Sequence, residues 1–127
     1  MRLVCTGSRG SDLPADVLEK SGNTPLSKFN VTVGREYVVR AMALWTYGMG
    51  VLIVDDTGKP NWKLLNLFNV VDPRLPAGWE FARRDTDPVI ALWGYPTLIR
   101  DPDHHDNLIN RKISALEVFL RETEGRS

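Results

Sequence analysis

The chain has few of the residues that build disulfides and metal sites. It contains one cysteine, Cys5, and two histidines, His104 and His105, among its 127 residues. A single cysteine excludes a disulfide within the chain and any zinc site that is built on cysteine ligands. Cys5 lies in an apolar run with Leu3 and Val4, which favours a small buried side chain. We predict no cofactor for this protein.

The chain also lacks an excess of either charge. Sixteen Lys and Arg residues balance sixteen Asp and Glu residues, so the formal net charge is zero. General nucleic-acid-binding proteins gain most of their affinity by neutralising phosphates, which a neutral chain does poorly. The composition therefore disfavours a nucleic-acid partner, although a local basic patch is compatible with it.

Long hydrophobic runs are missing as well. The apolar runs are far shorter than the stretch of about 20 residues that spans a membrane. The polar segment 7–12 also interrupts the apolar run that a signal peptide would need. We therefore expect no membrane partner and a cytoplasmic location. A chain with 43% hydrophobic and 25% charged residues fits a single domain over residues 1–127.

The most informative stretch that is present is the segment 31–56, which is rich in β-branched and aromatic residues. Two apolar runs flank Tyr47-Gly48-Met49-Gly50, a pattern typical of two strands joined by a tight turn. The first run, residues 36–45, and the second, residues 51–54, are apolar on both strand faces. Strands of this kind are covered on both sides, so the sheet either curls into a barrel or carries a helix.

Further strands and helices follow from similar patterns. Short apolar runs between turn-forming clusters predict strands at residues 1–6, 62–71, 79–84 and 89–95. Asp12 and Pro14 mark the start of a short helix over residues 15–20. A long C-terminal helix, from residue 102 or 103 to about 121, is predicted by an apolar stripe at helical spacing: Leu108, Ile109, Ile113, Leu116, Phe119 and Leu120.

This order of elements predicts an α+β fold. Strands joined by short turns pair antiparallel. We therefore expect a small, strongly curved antiparallel β-sheet or SH3-like barrel, with the short N-terminal helix and the long C-terminal helix packed on it.

The densest group of possible metal ligands contains Asp101, Asp103, Asp106 and both histidines. One interpretation is a metal site, or a histidine that acts as general base beside a carboxylate. Adjacent residues on a helix point about 100° apart, however, so His104 and His105 do not easily meet one ion. The alternative is a helix start capped by Asp101 or Asp103, with His105 turned toward the core, and it agrees better with capping preferences.

Aromatic and acidic residues form two other candidate groups. Trp45 and Tyr47 share one strand face, and Trp93 and Tyr95 share another. Large aromatic residues at this period are usually core, but the tyrosines suit the rim of a groove for a peptide or for stacked bases. The Asp55-Asp56 pair either forms the turn that follows the hairpin or attracts a basic partner.

Several motifs together resemble those of small bacterial immunity-type proteins, which accompany polymorphic or contact-dependent toxins. They are Leu13-Pro14, the segment 33–39, the segment 52–56, Pro60-Asn61-Trp62, the segments 67–72 and 75–79, the segment 93–96, and Phe119-Leu120. The resemblance spans most of the chain, and its motifs are structural rather than catalytic. It implies a non-enzymatic cytoplasmic inhibitor that binds one cognate toxin domain.

An inhibitor of this kind needs a rigid scaffold with an exposed complementary surface. The candidate partner-binding residues are Tyr47, Asp55, Asp56, Trp62, Tyr95, Asp101, Asp103 and Asp106. Two alternatives remain open: an SH3-like module that binds a peptide or a nucleic acid, and a small metal-dependent enzyme that uses the two histidines. The oligomeric state does not follow from the sequence.

Overall fold

The computed structural model of the protein describes residues 1–86 and 88–124, and in this part of the chain it contains eight strands and four α-helices. The strands are β1 (Arg2–Cys5), β2 (Glu36–Val38), β3 (Ala41–Trp45), β4 (Gly48–Val54), β5 (Pro60–Leu64), β6 (Phe68–Asp72), β7 (Glu80–Thr86) and β8 (Val89–Gly94). The helices are α1 (Ala15–Lys20), α2 (Pro96–Arg100), α3 (His104–Ile109) and α4 (Ile113–Thr123).

The strands form two antiparallel sheets. One has three strands in the order β2-β1-β6, and the other has five in the order β5-β4-β3-β8-β7. The predicted α+β class and antiparallel pairing are confirmed. The predicted SH3-like barrel is wrong, because the described strands lie in two separate sheets and do not close.

The predicted strand 36–45 is divided between these two sheets, which explains the error. The amide of Val39 donates to the carbonyl oxygen of Met1 at 2.9 Å, and the amide of Arg40 donates to that of Leu52 at 2.7 Å. Successive amides therefore bond to different sheets, as at the corner of a sandwich. A 3₁₀ turn divides the predicted strand 62–71 into β5 and β6 in the same way.

The central hairpin is present, with a tighter turn than predicted. Trp45 pairs with Gly48, so only Thr46 and Tyr47 lie between β3 and β4. Gly50 belongs to β4, and a Cβ atom there would lie 2.3 Å from the ring of Trp45. That glycine allows the indole to lie flat against the neighbouring strand.

Both faces of this hairpin are covered, as predicted. Val51 and Ile53 belong to a core cluster with residues of both sheets and α1, whereas Leu52 belongs to a second cluster with residues of α2, α3 and α4. Successive side chains of a strand point to opposite faces, so β4 contributes to both clusters. A second sheet covers one face and helices cover the other.

The predicted long C-terminal helix is wrong, because the chain breaks between α3 and α4. Arg111 has a φ of 61°, which stops a right-handed helix. Its guanidinium donates to the carbonyl oxygen of Pro60 at 2.6 Å and to Oδ1 of Asn61 at 2.7 Å, which fixes the break against β5. The apolar stripe is divided as a result: Leu108 and Phe119 are buried, while Ile109, Ile113 and Leu120 are exposed.

The first strand, the first helix and the last two strands lie close to their predicted positions. β1 and α1 lie where the sequence predicts them, and β7 and β8 match the predicted strands 79–84 and 89–95 to within two residues. α2 was not predicted; it begins at Pro96, at the helix position where proline is favoured. No helix in residues 1–86 and 88–124 is long and apolar enough to cross a membrane.

Candidate functional site: an aromatic groove

An open cavity of about 440 Å³ lies where the β3–β4 turn, β5, β8 and the segment joining α2 to α3 meet. Volumes of this size are typical of sites that hold a small molecule or a few side chains. Leu92 and Leu98 contribute apolar surface to it. We call this cavity the aromatic groove and define it by Trp45, Tyr47, Trp62, Arg84, Asp101, His105 and Asp106.

Four rings form a continuous series along this groove. The ring centroids of Trp45 and Tyr47 are 5.4 Å apart, those of Trp45 and Trp62 are 5.7 Å apart, and those of Trp62 and His105 are 6.0 Å apart. Trp45 and Trp62 meet edge to face, with planes at 69°, a preferred arrangement of aromatic pairs. The rings come from β3, the following turn, β5 and α3, so the fold assembles a surface that no single segment carries.

A hydrogen bond fixes one side of the groove. The indole Nε1–H of Trp62 donates to Nε2 of His105 at 2.8 Å. An indole nitrogen can only donate, so this ring nitrogen of His105 must be the acceptor and the imidazole must be neutral. Burial lowers the pKa of His105, with the nearby Asp106 acting in the opposite direction and Arg84 adding to the decrease. The bond therefore orients the Trp62 ring while His105 is neutral.

The charged residues of the groove are two carboxylates and one guanidinium. Oδ1 of Asp101 accepts the backbone N–H of Asp103 at 2.9 Å, and the side chain of Asp106 is 85% exposed. Within the described ranges, neither Asp101 nor Asp106 forms an ion pair with a lysine or an arginine. Arg84 uses Nη2 to donate to the carbonyl oxygen of Ile99 at 3.0 Å, which ties it to α2.

The eight residues predicted to bind a partner fall into three sets. Four of them line the aromatic groove: Tyr47, Trp62, Asp101 and Asp106. Asp103 is exposed beside the groove but does not line it. The other three residues make contacts within the fold.

Asp55 is one of those three residues, and it is 2% exposed. Its carboxylate accepts hydrogen bonds from Thr57 and Asn61, and it lies 2.9 Å from Nζ of Lys63. Burial raises the pKa of Asp55, but the bonds from Thr57 and Lys63 more than offset this and hold the pKa below its usual value. Asp55 therefore stabilises the fold and does not form an exposed acidic tip.

Asp56 and Tyr95 are the other two predicted residues that make contacts within the fold. Asp56 accepts hydrogen bonds from Thr32, Tyr37 and Arg35 at 2.7 to 2.8 Å, so its carboxylate is occupied. Tyr95 is only 1% exposed, so it does not lie at a rim. Its hydroxyl lies 2.7 Å from Nε2 of His104.

The two histidines diverge, as their adjacency on a helix predicts. His104 is buried against Tyr95, whereas His105 is half-buried against Trp62. The residue that turns toward the core is thus His104, not His105. The side chain of Asp103 makes no cap bond at the start of α3. Among residues 1–86 and 88–124, no three His, Cys, Asp or Glu side chains come together as metal ligands.

Comparison of the chain with protein-family models, with curated proteins and with solved structures found no match. The geometry of the groove is therefore the main basis for a functional proposal.

Sequence reasoning missed three members of the groove: Trp45, Arg84 and His105. Trp45 was predicted to be core, and it does pack against the first core cluster while also lining the groove. The signal available in the sequence was the Trp45–Tyr47 pair beside a glycine-rich turn. Nothing local to Arg84 or His105 indicates that both line one cavity, because this depends on how α3 packs against the sheet.

Proposed function

We propose that the protein is a non-enzymatic binding protein of the immunity type, which acts in the cytoplasm by binding and inhibiting a cognate bacterial toxin domain. We further propose that the aromatic groove is the surface that holds the toxin domain. The observation that supports this most directly is that Tyr47, Trp62, Asp101 and Asp106, half of the predicted partner-binding residues, line one groove.

The groove has the features of a protein-binding hot spot. Tryptophan and tyrosine contribute most of the energy in many interfaces, especially where they lie in a concave, apolar centre with a polar rim. Here three such side chains line a cavity together with apolar residues such as Leu92 and Leu98, and two exposed carboxylates line it as well. The bond from Trp62 to His105 holds the indole in place before binding, which reduces the entropy lost when a partner docks.

The same contacts argue against the two alternatives. An enzyme would need a free base, but Nε2 of His105 already accepts from Trp62. A phosphate-binding surface would need free cations. Arg74, Arg83 and Arg100 are each paired with a carboxylate, of Asp72, Asp85 and Glu80 respectively, which reduces the positive charge that these three arginines offer to a phosphate.

If a large secreted protein is encoded beside this chain's gene, its toxin domain is the partner with which the proposal is tested. The domain is produced with and without this chain, and we expect growth inhibition to be relieved only when the chain is present. Complex formation is measured by isothermal titration with purified components. Tyr47→Ala is expected to weaken binding about tenfold, because it removes a large aromatic side chain that lines the proposed interface.

Phe81→Ala is the matched control. Phe81 is an exposed aromatic residue on β7, outside the groove, so its removal should leave the affinity unchanged. If Phe81→Ala weakens binding and Tyr47→Ala does not, the toxin domain uses another surface. If the chain neither binds the domain nor relieves growth inhibition, the proposed inhibitor function is refuted.

A further inference from the structure

We infer that the aromatic groove receives an arginine side chain of the partner, with the guanidinium against the aromatic rings and near the carboxylates of Asp101 and Asp106. This inference rests on the proposed function, because it supplies the chemistry by which a toxin domain would be recognised. Three observations on the groove support it: its net charge, its aromatic rings and the hydrogen bond that Arg84 makes within the fold.

The charge of the groove favours a cation. Asp101 and Asp106 supply two negative charges, Arg84 supplies one positive charge, and His105 is neutral while it accepts from Trp62. The groove therefore carries a net charge of about −1. Charge complementarity across an interface improves association and suppresses partners of the wrong sign.

The rings favour a planar cation. Cations are attracted to the faces of aromatic rings, most strongly to tryptophan, and two of the three large aromatic side chains here are tryptophans. A guanidinium can stack on an indole while its N–H groups bond to carboxylates, which the ammonium of lysine does less well. The combination of rings and carboxylates in one cavity is therefore better suited to arginine than to lysine.

Arg84, the positively charged residue of the groove, does not turn the groove into a site for anions. Arg84 donates to the carbonyl oxygen of Ile99, so part of its hydrogen-bonding capacity is used within the fold. An anionic occupant that approached Arg84 would also meet the two carboxylates that line the same cavity. An acidic peptide or a phosphate backbone would be repelled by them.

The test uses the blocked tripeptide Ac-Gly-Arg-Gly-NH₂ and the same peptide with citrulline, which has nearly the same shape without the charge. Binding is followed through the indole N–H signals of Trp45 and Trp62 in ¹⁵N-correlated spectra. For the arginine peptide we expect saturable shifts with a dissociation constant of about 1 mM, as one side chain of a larger interface would give. The citrulline peptide should give no saturable shift.

Two variants then test which carboxylates recognise the arginine side chain. The double variant Asp101→Asn/Asp106→Asn should bind the arginine peptide about fivefold more weakly, because two exposed attractions are removed while the shape is kept. Asn at position 101 retains the oxygen that accepts the amide of Asp103, so the start of α3 is preserved. Asp103→Asn is the matched control: this exposed acid lies next to the groove without lining it, and its loss should change nothing.

Three results would overturn the inference. The first is that the citrulline peptide shifts the indole signals as much as the arginine peptide does. The second is that the double variant binds the arginine peptide as tightly as wild type. The third is that an oligothymidylate shifts the indole signals and that these shifts disappear in high salt.

Titration of the toxin domain against the double variant separates the two proposals. If the domain binds wild type and double variant equally, arginine recognition fails while the inhibitor function stands. If the arginine peptide binds as expected and the domain does not bind at all, recognition of the cation stands and the inhibitor function fails.

Discussion

Replacement of Lys63 by methionine should destabilise the protein strongly, because it leaves the carboxylate of Asp55 buried without its counter-ion. The two side chains are 8% and 0% exposed, and Nζ lies 2.9 Å from Oδ2. Removal of one partner from a buried ion pair typically costs about 3 to 5 kcal/mol. The carboxylate retains hydrogen bonds from Thr57 and Asn61, so we expect a loss near the lower end, about 3 kcal/mol.

The free energy of unfolding is obtained from urea titrations followed by tryptophan fluorescence, at pH 7. A loss of about 3 kcal/mol corresponds to a decrease of roughly 10 °C in melting temperature for a chain of this length. Arg2→Met is the control. It breaks the pair between Arg2 and Glu36, whose side chains are 45% and 49% exposed, and should cost less than about 1 kcal/mol.

Two outcomes would refute the reasoning. One is a loss for Lys63→Met that is no larger than that of the control. The second outcome concerns the double variant Lys63→Met/Asp55→Asn, which removes both charges and should be more stable than Lys63→Met alone. Equal or lower stability of the double variant would show that the unpaired carboxylate does not cause the loss of stability in Lys63→Met.

Three further predictions concern the packing that surrounds the groove. Gly50→Ala should destabilise the fold by about 1 to 3 kcal/mol, because the added methyl would lie 2.3 Å from the ring of Trp45. It should also shift the fluorescence emission of Trp45. An unchanged emission spectrum would show that the indole does not pack against residue 50. Burial lowers the pKa of His104 below its usual 6.5, so its neutral pair with Tyr95 stabilises the fold fully above that pH and less as the pH falls. The loss of unfolding free energy between pH 7 and pH 5, measured by urea titration, should accordingly be smaller in His104→Gln, and an equal loss would contradict this account. Arg111→Ala should lower the free energy of unfolding by about 2 kcal/mol, because two hydrogen bonds are lost. Arg111→Gly should lower it by about 1 kcal/mol less than Arg111→Ala does, because glycine adopts a φ of 61° without strain. The reverse order of stability in urea titrations would rule out the φ argument.

The parts of the fold that depend on local patterns were predictable from sequence. The apolar residues on both faces of the central hairpin predicted that both faces are covered, and they are. The break at Arg111 was not predictable, because it depends on hydrogen bonds to the start of β5, fifty residues earlier in the chain. Where strand 36–45 changes sheet also depends on distant partners, Met1 and Leu52.

The candidate site shows the same limit. Asp55 has the sequence surroundings of an exposed turn, and only its approach to Lys63 reveals it as a buried ion pair. Tyr95 follows a strand that ends in glycine, but its burial depends on His104 and on the helices packed above it. By contrast, Tyr47 and Trp62, which the sequence predicts to bind a partner, are half-buried and line the groove, and their binding role stays a prediction.

Trp45 has a double position that couples occupancy of the groove to the stability of the whole fold. One indole packs against the core cluster shared by the two sheets and also lines the cavity that faces solvent. A partner that holds this ring in place therefore stabilises the native state relative to the unfolded chain, by an amount set by its concentration and affinity. The melting temperature thus serves as a direct screen for molecules that occupy the groove, whatever their source.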